Sequence, residues 1–179
     1  PIYWNWTGNG ASVTVAGQMR LVDRQLALLA NADADLRVLT PFVRATGLST
    51  AGQLTARLSV TGTADEPRVN GDAVVDDGEI RMLDPRVLVT GLAGRAVLAG
   101  RTVRVDDLTG IVNGGRLQAR VQAESDPTRG TTARMQLVVD GAALDYPRGL
   151  RSELDGDIDV ALDGTSGTAL AGRVTGTVT

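Results

Sequence analysis

The sequence has 179 residues, a net charge of −3 and only 3% aromatic residues, and it contains no Lys, His or Cys. Without these residue types the chain has no His-based catalytic triad, no thiolate nucleophile, no Schiff-base lysine and no ordinary zinc site. The small net charge, with both signs interspersed, gives no electrostatic footprint for nucleic acid. Carboxylates, Tyr and hydroxyls remain as possible catalytic groups, and we expect no cofactor, no metal and no nucleic-acid partner.

The first two elements in chain order are an aromatic segment and a helical pattern. The segment YWNW at the start contains both tryptophans. It suits a membrane interface or a sugar platform, and it also fits a hydrophobic plug on the first strand, which we favour. Residues 23–36 place Leu26 and Leu29 at helical spacing after Asp23 as a cap, which predicts one short helix packed as a lid on a sheet. A second short helix is expected near PFVRAT, residues 41–46.

Most of the remaining sequence alternates apolar and polar residues. In RLQARVQA, Leu117 and Val121 alternate with Arg116 and Arg120, and QLTARLSV, RMQLVVD and DIDVALD follow the same rule. A period of two places apolar side chains on one face of a β-strand. We therefore predict about ten to twelve antiparallel strands, each apolar on one side only.

Short polar segments separate the alternating runs. The turn signals are DDG at 76–78, AG at 99–100, NGG at 113–115, SDPTRG at 125–130, DG at 140–141 and SG at 166–167. Spacing this short predicts hairpins and a meander. The alternation is still running at the last residues, so we interpret the sequence as a fragment of a longer protein.

The apolar face of such a sheet needs a cover. Ten strands of five residues, at about 4.8 Å between strands and about 3.3 Å per residue, present an apolar face of roughly 800 Å². The largest exposed patch of a soluble monomer is usually about 300–600 Å². The periodicity leaves three covers open, which are a second sheet, closure into a barrel, or a ligand.

The carboxylates are the chemistry-bearing groups to weigh. The pairs Asp76–Asp77 and Asp106–Asp107 have residue types that a glycosidase uses, but both coincide with turn signals, where Asp is common for its local hydrogen bonds. DGDID at 155–159 begins like a calcium loop but lacks its later Gly and Glu, so we interpret it as a solvated strand face. No apolar run approaches the eighteen or so residues that a membrane span needs.

A longer pattern extends over residues 50–178. A strand ending in Gly-Thr leads to a Pro-containing turn and a DG-I hairpin, followed by L-G, two strands, a second L-G, a Gly pair and an alternating strand. The residues of this pattern are Gly62, Thr63, Pro67, Gly71, Asp77, Gly78, Ile80, Leu92, Gly94, Val103, Val105, Leu108, Gly110, Gly114, Gly115 and Leu117. In this pattern, and in the later segment DYPRGLRSELDGDIDVALDGT, the chain resembles the TamB family (translocation and assembly module) of the AsmA-like superfamily.

The resemblance implies a fold and a domain organisation. The expected fold is all-β, an elongated antiparallel sheet curled into an open U-shaped half-pipe, or β-taco, with an apolar interior. Residues 1–179 would form a single repeating β-groove domain. Within it, 1–49 hold the first strands and the short helix, and 50–123 and 131–179 form two family-like blocks.

The resemblance also implies a function, partners and a location. The chain would be a non-enzymatic periplasmic segment, tethered to the inner membrane in the full-length protein, that conducts phospholipid acyl chains between the inner and outer membranes. Its partners would be phospholipid and an outer-membrane TamA-type assembly barrel, with membrane contact through segments outside this chain. The alternative is an assembly module that pairs client strands at its open sheet edges, which would also allow self-association. A carbohydrate-active solenoid that uses carboxylates is a weaker third hypothesis.

The predicted lipid groove consists of the apolar side chains on one side of the alternating strands. These residues are Leu54, Leu58, Val60, Val69, Val75, Ile80, Met82, Leu98, Val103, Val105, Leu117, Val121, Met135, Leu137, Val139, Ile158, Val160, Leu162 and Val174.

Overall fold

The computed structural model of the chain describes residues 1–8, 10–20, 22, 24–39, 47–84, 86–126, 130–145, 151–164 and 171–178. These residues form eleven strands and one 3₁₀ turn, η1, at Leu36–Leu39. The strands are β1 Ile2–Gly8, β2 Ala11–Arg20, β3 Gln25–Asp35, β4 Leu48–Thr63, β5 Pro67–Met82, β6 Val87–Gly100, β7 Thr102–Val112, β8 Gly115–Asp126, β9 Gly130–Asp145, β10 Arg151–Gly164 and β11 Ala171–Val178.

All eleven strands belong to one antiparallel sheet, in which spatial order follows chain order from β1 to β11. The sheet does not close into a barrel, because β1 pairs with β2 and β11 with β10, which leaves an open edge at each end of the described sheet. The prediction of an all-β meander with an open, curled sheet is confirmed in its class and connectivity.

The accessible surface shows how open this sheet is. The chain exposes 12171 Å², whereas a compact monomer of this mass exposes about 8,200 Å². Among the described residues the buried hydrophobic side chains are few and mostly Ala. The structure is therefore a single sheet without a second layer over most of its area.

The predicted short helix at residues 23–36 is wrong. Residues 25–35 form β3, which pairs with β2 on one side and β4 on the other. Leu26 and Leu28 lie on the apolar face, while Leu29 points to the opposite side and is exposed. The spacing of Leu26 and Leu29 fits a helix, but the same segment also alternates, and hydrogen bonding to two neighbouring strands overrides local helix propensity. Asp23 and the segment 41–46 lie outside the described residues.

Two of the predicted turns are β-bulges inside strands. DDG at 76–78 lies within β5 and DG at 140–141 within β9, at points where the pairing register shifts. Asp106 and Asp107 likewise lie at a register shift within β7 rather than at a turn. AG at 99–100 and NGG at 113–115 do join consecutive strands, as predicted, and SG at 166–167 lies outside the described residues.

The bulges form a line across the middle of the sheet. Register shifts occur in the ladders β4–β5, β5–β6, β6–β7, β7–β8 and β9–β10. A bulge bends its strand and increases the local twist, so shifts in neighbouring strands bend the sheet along one line. We call this line the crease.

At the crease and beyond it, the apolar face closes on itself into a small core, which we call the closed end. Its members are Ile80, Val87, Val89, Leu92, Val112, Leu117, Leu137, Val139, Ala142 and Leu154. Leu117 retains 8% and Ala142 only 4% of their exposure. In a flat single sheet the tips of these side chains would face solvent, so such burial requires the sheet to curl over its apolar face here.

Hydrogen bonds to backbone groups hold the closed end together. The Asn113 side chain, in the β7–β8 turn, accepts a hydrogen bond from the Leu88 N–H (2.8 Å) and donates one to the Arg86 carbonyl (3.2 Å). The Ala143 N–H of β9 donates to the Asn113 carbonyl at 3.2 Å. The 3₁₀ turn η1 adds a contact at the same end of β4, where the Thr50 hydroxyl donates to the Leu36 carbonyl at 2.7 Å.

Candidate functional site

The candidate site is the part of the apolar face that the closed end does not cover, on the other side of the crease. Directly paired residues of neighbouring strands share a face, so the register shows which side chains form continuous rows. One row is Trp6, Val13, Ala32, Ala56, Ala73, Ala96, Val105, Val121, Met135, Val160 and Val174. The next is Trp4, Val15, Ala30, Leu58, Gly71, Leu98, Val103, Ala123, Ala133, Leu162 and Gly172. We call these two rows the open floor.

The open floor crosses all eleven strands without a charged or hydrogen-bonding group other than the two indole N–H groups. Its side chains from β3 to β10 are half-buried, except for Ala56, which is buried. They shield one another along the face, but no other described element lies over them. The side chains in the middle strands are small, so they leave space over this face that larger aromatic side chains would fill.

All the sequence-predicted groove residues lie on the same face by register. Those in the open floor are Leu58, Leu98, Val103, Val105, Val121, Met135, Val160, Leu162 and Val174. Those in the rows beside it are Val60, Val69, Leu54, Val75 and Ile158. Those in the rows of the crease and the closed end are Ile80, Met82, Leu117, Leu137 and Val139. The prediction thus combined two environments, an open surface and a closed core.

Sequence reasoning omitted the alanines and the tryptophans of the open floor. Ala30, Ala32, Ala56, Ala73 and Ala96 form much of its middle. They were missed because Ala contributes little to a hydrophobic pattern. Their sequence positions are the signal that could find them. Each of these alanines lies two residues from a predicted groove residue or in the strand that was interpreted as a helix.

The opposite face is polar and carries exposed ion pairs. Arg95 lies 3.6 Å from Asp72, and Arg104 pairs with Asp106 on the same strand. Arg116, Arg120, Arg134, Asp157 and Asp159 are exposed, as expected for residues that alternate with the apolar rows. Several exposed apolar side chains also lie on this face, and one of them, Val138, is 44% exposed between Gln118 and Asp157.

The carboxylate pairs lie on this polar face, at the crease. Asp76 and Asp77 border a shallow depression of about 480 Å³ with Asp33, Asp35 and Glu79. Asp155 of the DGDID segment accepts a hydrogen bond from the Gly141 N–H at 2.7 Å, so it supports the β9 bulge. Within the described ranges, no group of three or more acidic residues is arranged to hold a metal ion.

These features define a class of protein: an open, single-sheet β structure with a continuous apolar face and a polar back. The chain matches the family model described as the TamB C-terminal domain over residues 5–178. The chain therefore belongs to the TamB family. No curated protein and no solved structure matches it.

Family membership carries general expectations about activity and place. TamB proteins take part in assembly and lipid transport, associate with the TamA assembly factor, and span the periplasm from an anchor in the inner membrane. The family is not a known enzyme family. In the described part of this chain, no helix has the length and apolar character needed to cross a membrane.

Proposed function

We propose that the open floor binds phospholipid acyl chains and that the chain is a non-enzymatic conduit segment in the periplasm, passing phospholipid between the inner and outer membranes. The observation that carries the proposal is the continuity of the two apolar rows across every strand of the sheet. An acyl chain is recognised by contact with apolar surface and by the absence of unpaired polar groups. The open floor offers both conditions from β2 to β11, and the indole N–H groups of Trp4 and Trp6 on β1 are its only polar side-chain groups in the described structure.

The dimensions of the floor suit this ligand. Eleven strands have ten gaps, which at about 4.8 Å each give a length of about 48 Å. One leaflet of a bilayer core is about 15 Å thick, half of about 30 Å. An acyl chain laid along the rows is therefore shorter than the floor, so that several positions along the rows are equivalent for it.

The closed end and the open floor have different roles. The closed end supplies a packed core that holds the sheet curled, and the polar face keeps the outer surface wet. The floor therefore does not have to be filled by protein for the sheet to persist. This division favours a ligand-covered face over a second layer as the cover for the floor.

The test is native mass spectrometry of the chain, purified from cells under gentle conditions, with two matched variants. Val121→Arg places a cation in the open floor, whereas Val138→Arg places the same cation on the polar face of the next strand. We expect phospholipid on the parent chain and on Val138→Arg, and at least about a tenfold loss on Val121→Arg, because an unpaired charge opposes acyl chains. A folded Val121→Arg chain with normal lipid content, or a parent chain without lipid, would reject the proposal.

A second candidate function rests on the open edges of the sheet. β1 and β11 each have a single neighbour in the described structure, and unpaired strand edges are templates for β-augmentation. An assembly module would pair client strands there, or another copy of itself, with TamA-type barrels as its partners. Thr175 and Thr177 are exposed on β11, and replacing both with Lys should suppress pairing at that edge without changing lipid content. Loss of client binding without loss of lipid would favour this function.

A further inference from the structure

The two tryptophans differ from everything else on the apolar face. Trp4 and Trp6 begin the two rows of the open floor, opposite Val15 and Val13 of β2. Among the described residues they are the only aromatic side chains on this face, because Tyr3 pairs with Ala16 on the polar side. They therefore mark one strand of the floor with a chemistry that the other strands lack.

The two indole rings are much larger than the side chains that follow them in the rows of the open floor. Cζ2 of Trp6 lies 3.3 Å from the place that a β-carbon on Gly8 would occupy, so the ring extends over a residue without a side chain. Trp4 remains 50% and Trp6 42% exposed. Two strands away, the same rows continue with Ala30 and Ala32. One strand, with Val13 and Val15, therefore separates the large rings from the alanine-lined part of the floor.

The polar tips of the rings are available for a ligand. No described residue accepts a hydrogen bond from either indole N–H. Tryptophan combines an apolar body with a single N–H donor, and for this reason it prefers the level of a bilayer where hydrocarbon meets the polar headgroups. The corresponding level of a phospholipid is its pair of ester carbonyls, which accept hydrogen bonds directly above the acyl chains.

We propose that Trp4 and Trp6 form a docking site for the ester region of a phospholipid whose acyl chains lie along the floor, over the valines of β2 and the alanines beyond them. The inference rests on the proposed function, and it adds a fixed position for the lipid and a specificity for ester-linked chains. The apolar bodies of the rings contact the first carbons of the acyl chains, and the indole N–H groups donate to the ester carbonyls.

The experiment uses the fact that the chain has only these two tryptophans. The chain is incubated with phosphatidylcholine vesicles whose acyl chains carry bromine either near the ester or near the methyl end, and is then separated from the vesicles by gel filtration. Bromine quenches tryptophan fluorescence at contact. We expect ester-proximal bromine to quench the recovered complex about twofold more strongly than methyl-end bromine. Equal or reversed quenching would overturn the ester site.

A second chain separates failure of this site from failure of the conduit. In Trp4→Phe/Trp6→Phe/Val121→Trp, the single tryptophan reports on the middle of the floor. Quenching of this reporter by either lipid, without quenching of the native tryptophans, overturns the ester site and leaves the groove intact. Quenching in neither chain overturns both proposals.

Removal of the indole N–H groups, followed by measurement of the retained phospholipid, is an independent test. Trp4→Phe/Trp6→Phe keeps the apolar rings and removes both N–H donors, and we expect about a fivefold loss of retained phospholipid. Tyr3→Phe, on the same strand but the opposite face, is the matched control and should retain lipid normally. An ether-linked phospholipid, which lacks the ester carbonyls, should bind parent and Trp4→Phe/Trp6→Phe chains equally. Equal loss of ether-linked lipid would show that the N–H groups do not contact the esters.

Discussion

The closed end and the open floor belong to one face of one sheet, yet they have opposite relations to solvent. Leu117 at the closed end retains 8% of its exposure, whereas Leu58 in the open floor is only half-buried, although both occupy inward positions of alternating strands. Residue type and strand alternation are therefore not what distinguishes a core from a groove in this molecule.

The difference comes from the backbone between the two regions. The bulges of the crease bend the strands, so that side chains from β5 to β10 meet at the closed end. On the other side of the crease the ladders continue in regular register, and the side chains of neighbouring rows stand beside one another. A single sheet can thus keep a small core for stability and leave the rest of its apolar face for a ligand.

The largest expected effect distinguishes the two regions directly. Leu117→Arg buries an unpaired charge in the closed end, which should cost several kcal/mol, a large part of a typical stability of about 5–15 kcal/mol. Leu58→Arg places the same charge on the open floor beside Ala30 and Gly71, where the long side chain can extend to water. Urea unfolding followed by far-UV circular dichroism should show an unfolded Leu117→Arg chain and a folded Leu58→Arg chain. Equal destabilisation of both would show that the floor is also a closed core.

The second effect concerns a close approach between two backbones within the open floor. Gly71 has a φ of 141°, and a β-carbon there would lie 2.0 Å from the Arg57 carbonyl oxygen of β4. Gly71→Ala should therefore cost about 2–4 kcal/mol, because the neighbouring backbone must move. Gly100→Ala is the control, since Gly100 also has a positive φ (67°) but nothing lies within 4 Å of the added carbon. We expect about 1–2 kcal/mol there from backbone conformation alone. Similar losses in both variants would contradict a close backbone approach at Gly71.

Much of this fold was readable from alternation, because a period of two fixes both the strand and its buried face. The same logic fails where two patterns coincide. Leu26 and Leu29 satisfy a helical period within a segment that also alternates, and only the neighbouring strands β2 and β4 decide between them. Local sequence does not contain that information.

The crease was the second failure, although its signal was present. Asp-Gly favours tight turns and bulges alike, so DDG and DG were interpreted as hairpins. Whether the inward apolar residues have odd or even sequence numbers distinguishes a bulge from a hairpin turn. In β5, Val75 is inward at an odd position and Ile80 at an even one, which requires one extra residue between them. A hairpin at Asp77 would instead have placed these residues on different strands. The groove prediction merged core and floor for the same reason.

A third prediction compares two asparagines on the two sides of the crease. The Asn113 side chain, in the β7–β8 turn, makes one hydrogen bond to Leu88 of β6 and one to Arg86 just before β6. Asn113 also has a φ of 47°, which Asn tolerates better than Ala. Asn113→Ala should lower the free energy of unfolding by about 1–3 kcal/mol. Asn70 makes one exposed bond to the Gly100 N–H at 3.0 Å, and Asn70→Ala should cost about 0.5–1 kcal/mol. Thermal unfolding of the two variants measures the difference. A larger loss for Asn70→Ala would mean that the turns near the floor, rather than those at the closed end, carry the stability.

The smallest expected effect is at the other side of the floor, where an ion pair joins two turns. Arg24, after β2, lies 3.0 Å from Asp65, before β5, and the two side chains are 61% and 70% exposed. Asp65→Asn removes the charge but keeps the shape, and an exposed pair contributes at most about 1 kcal/mol, which salt screens further. The Ala64 N–H to Arg24 carbonyl bond of 2.9 Å still holds the two turns together. Parallel urea titrations at low and high salt should therefore show a small difference between parent and variant that disappears at high salt. A loss as large as that of Asn113→Ala, persisting at high salt, would mean that the floor has its own structural anchor at these turns and is not held open by the closed end alone.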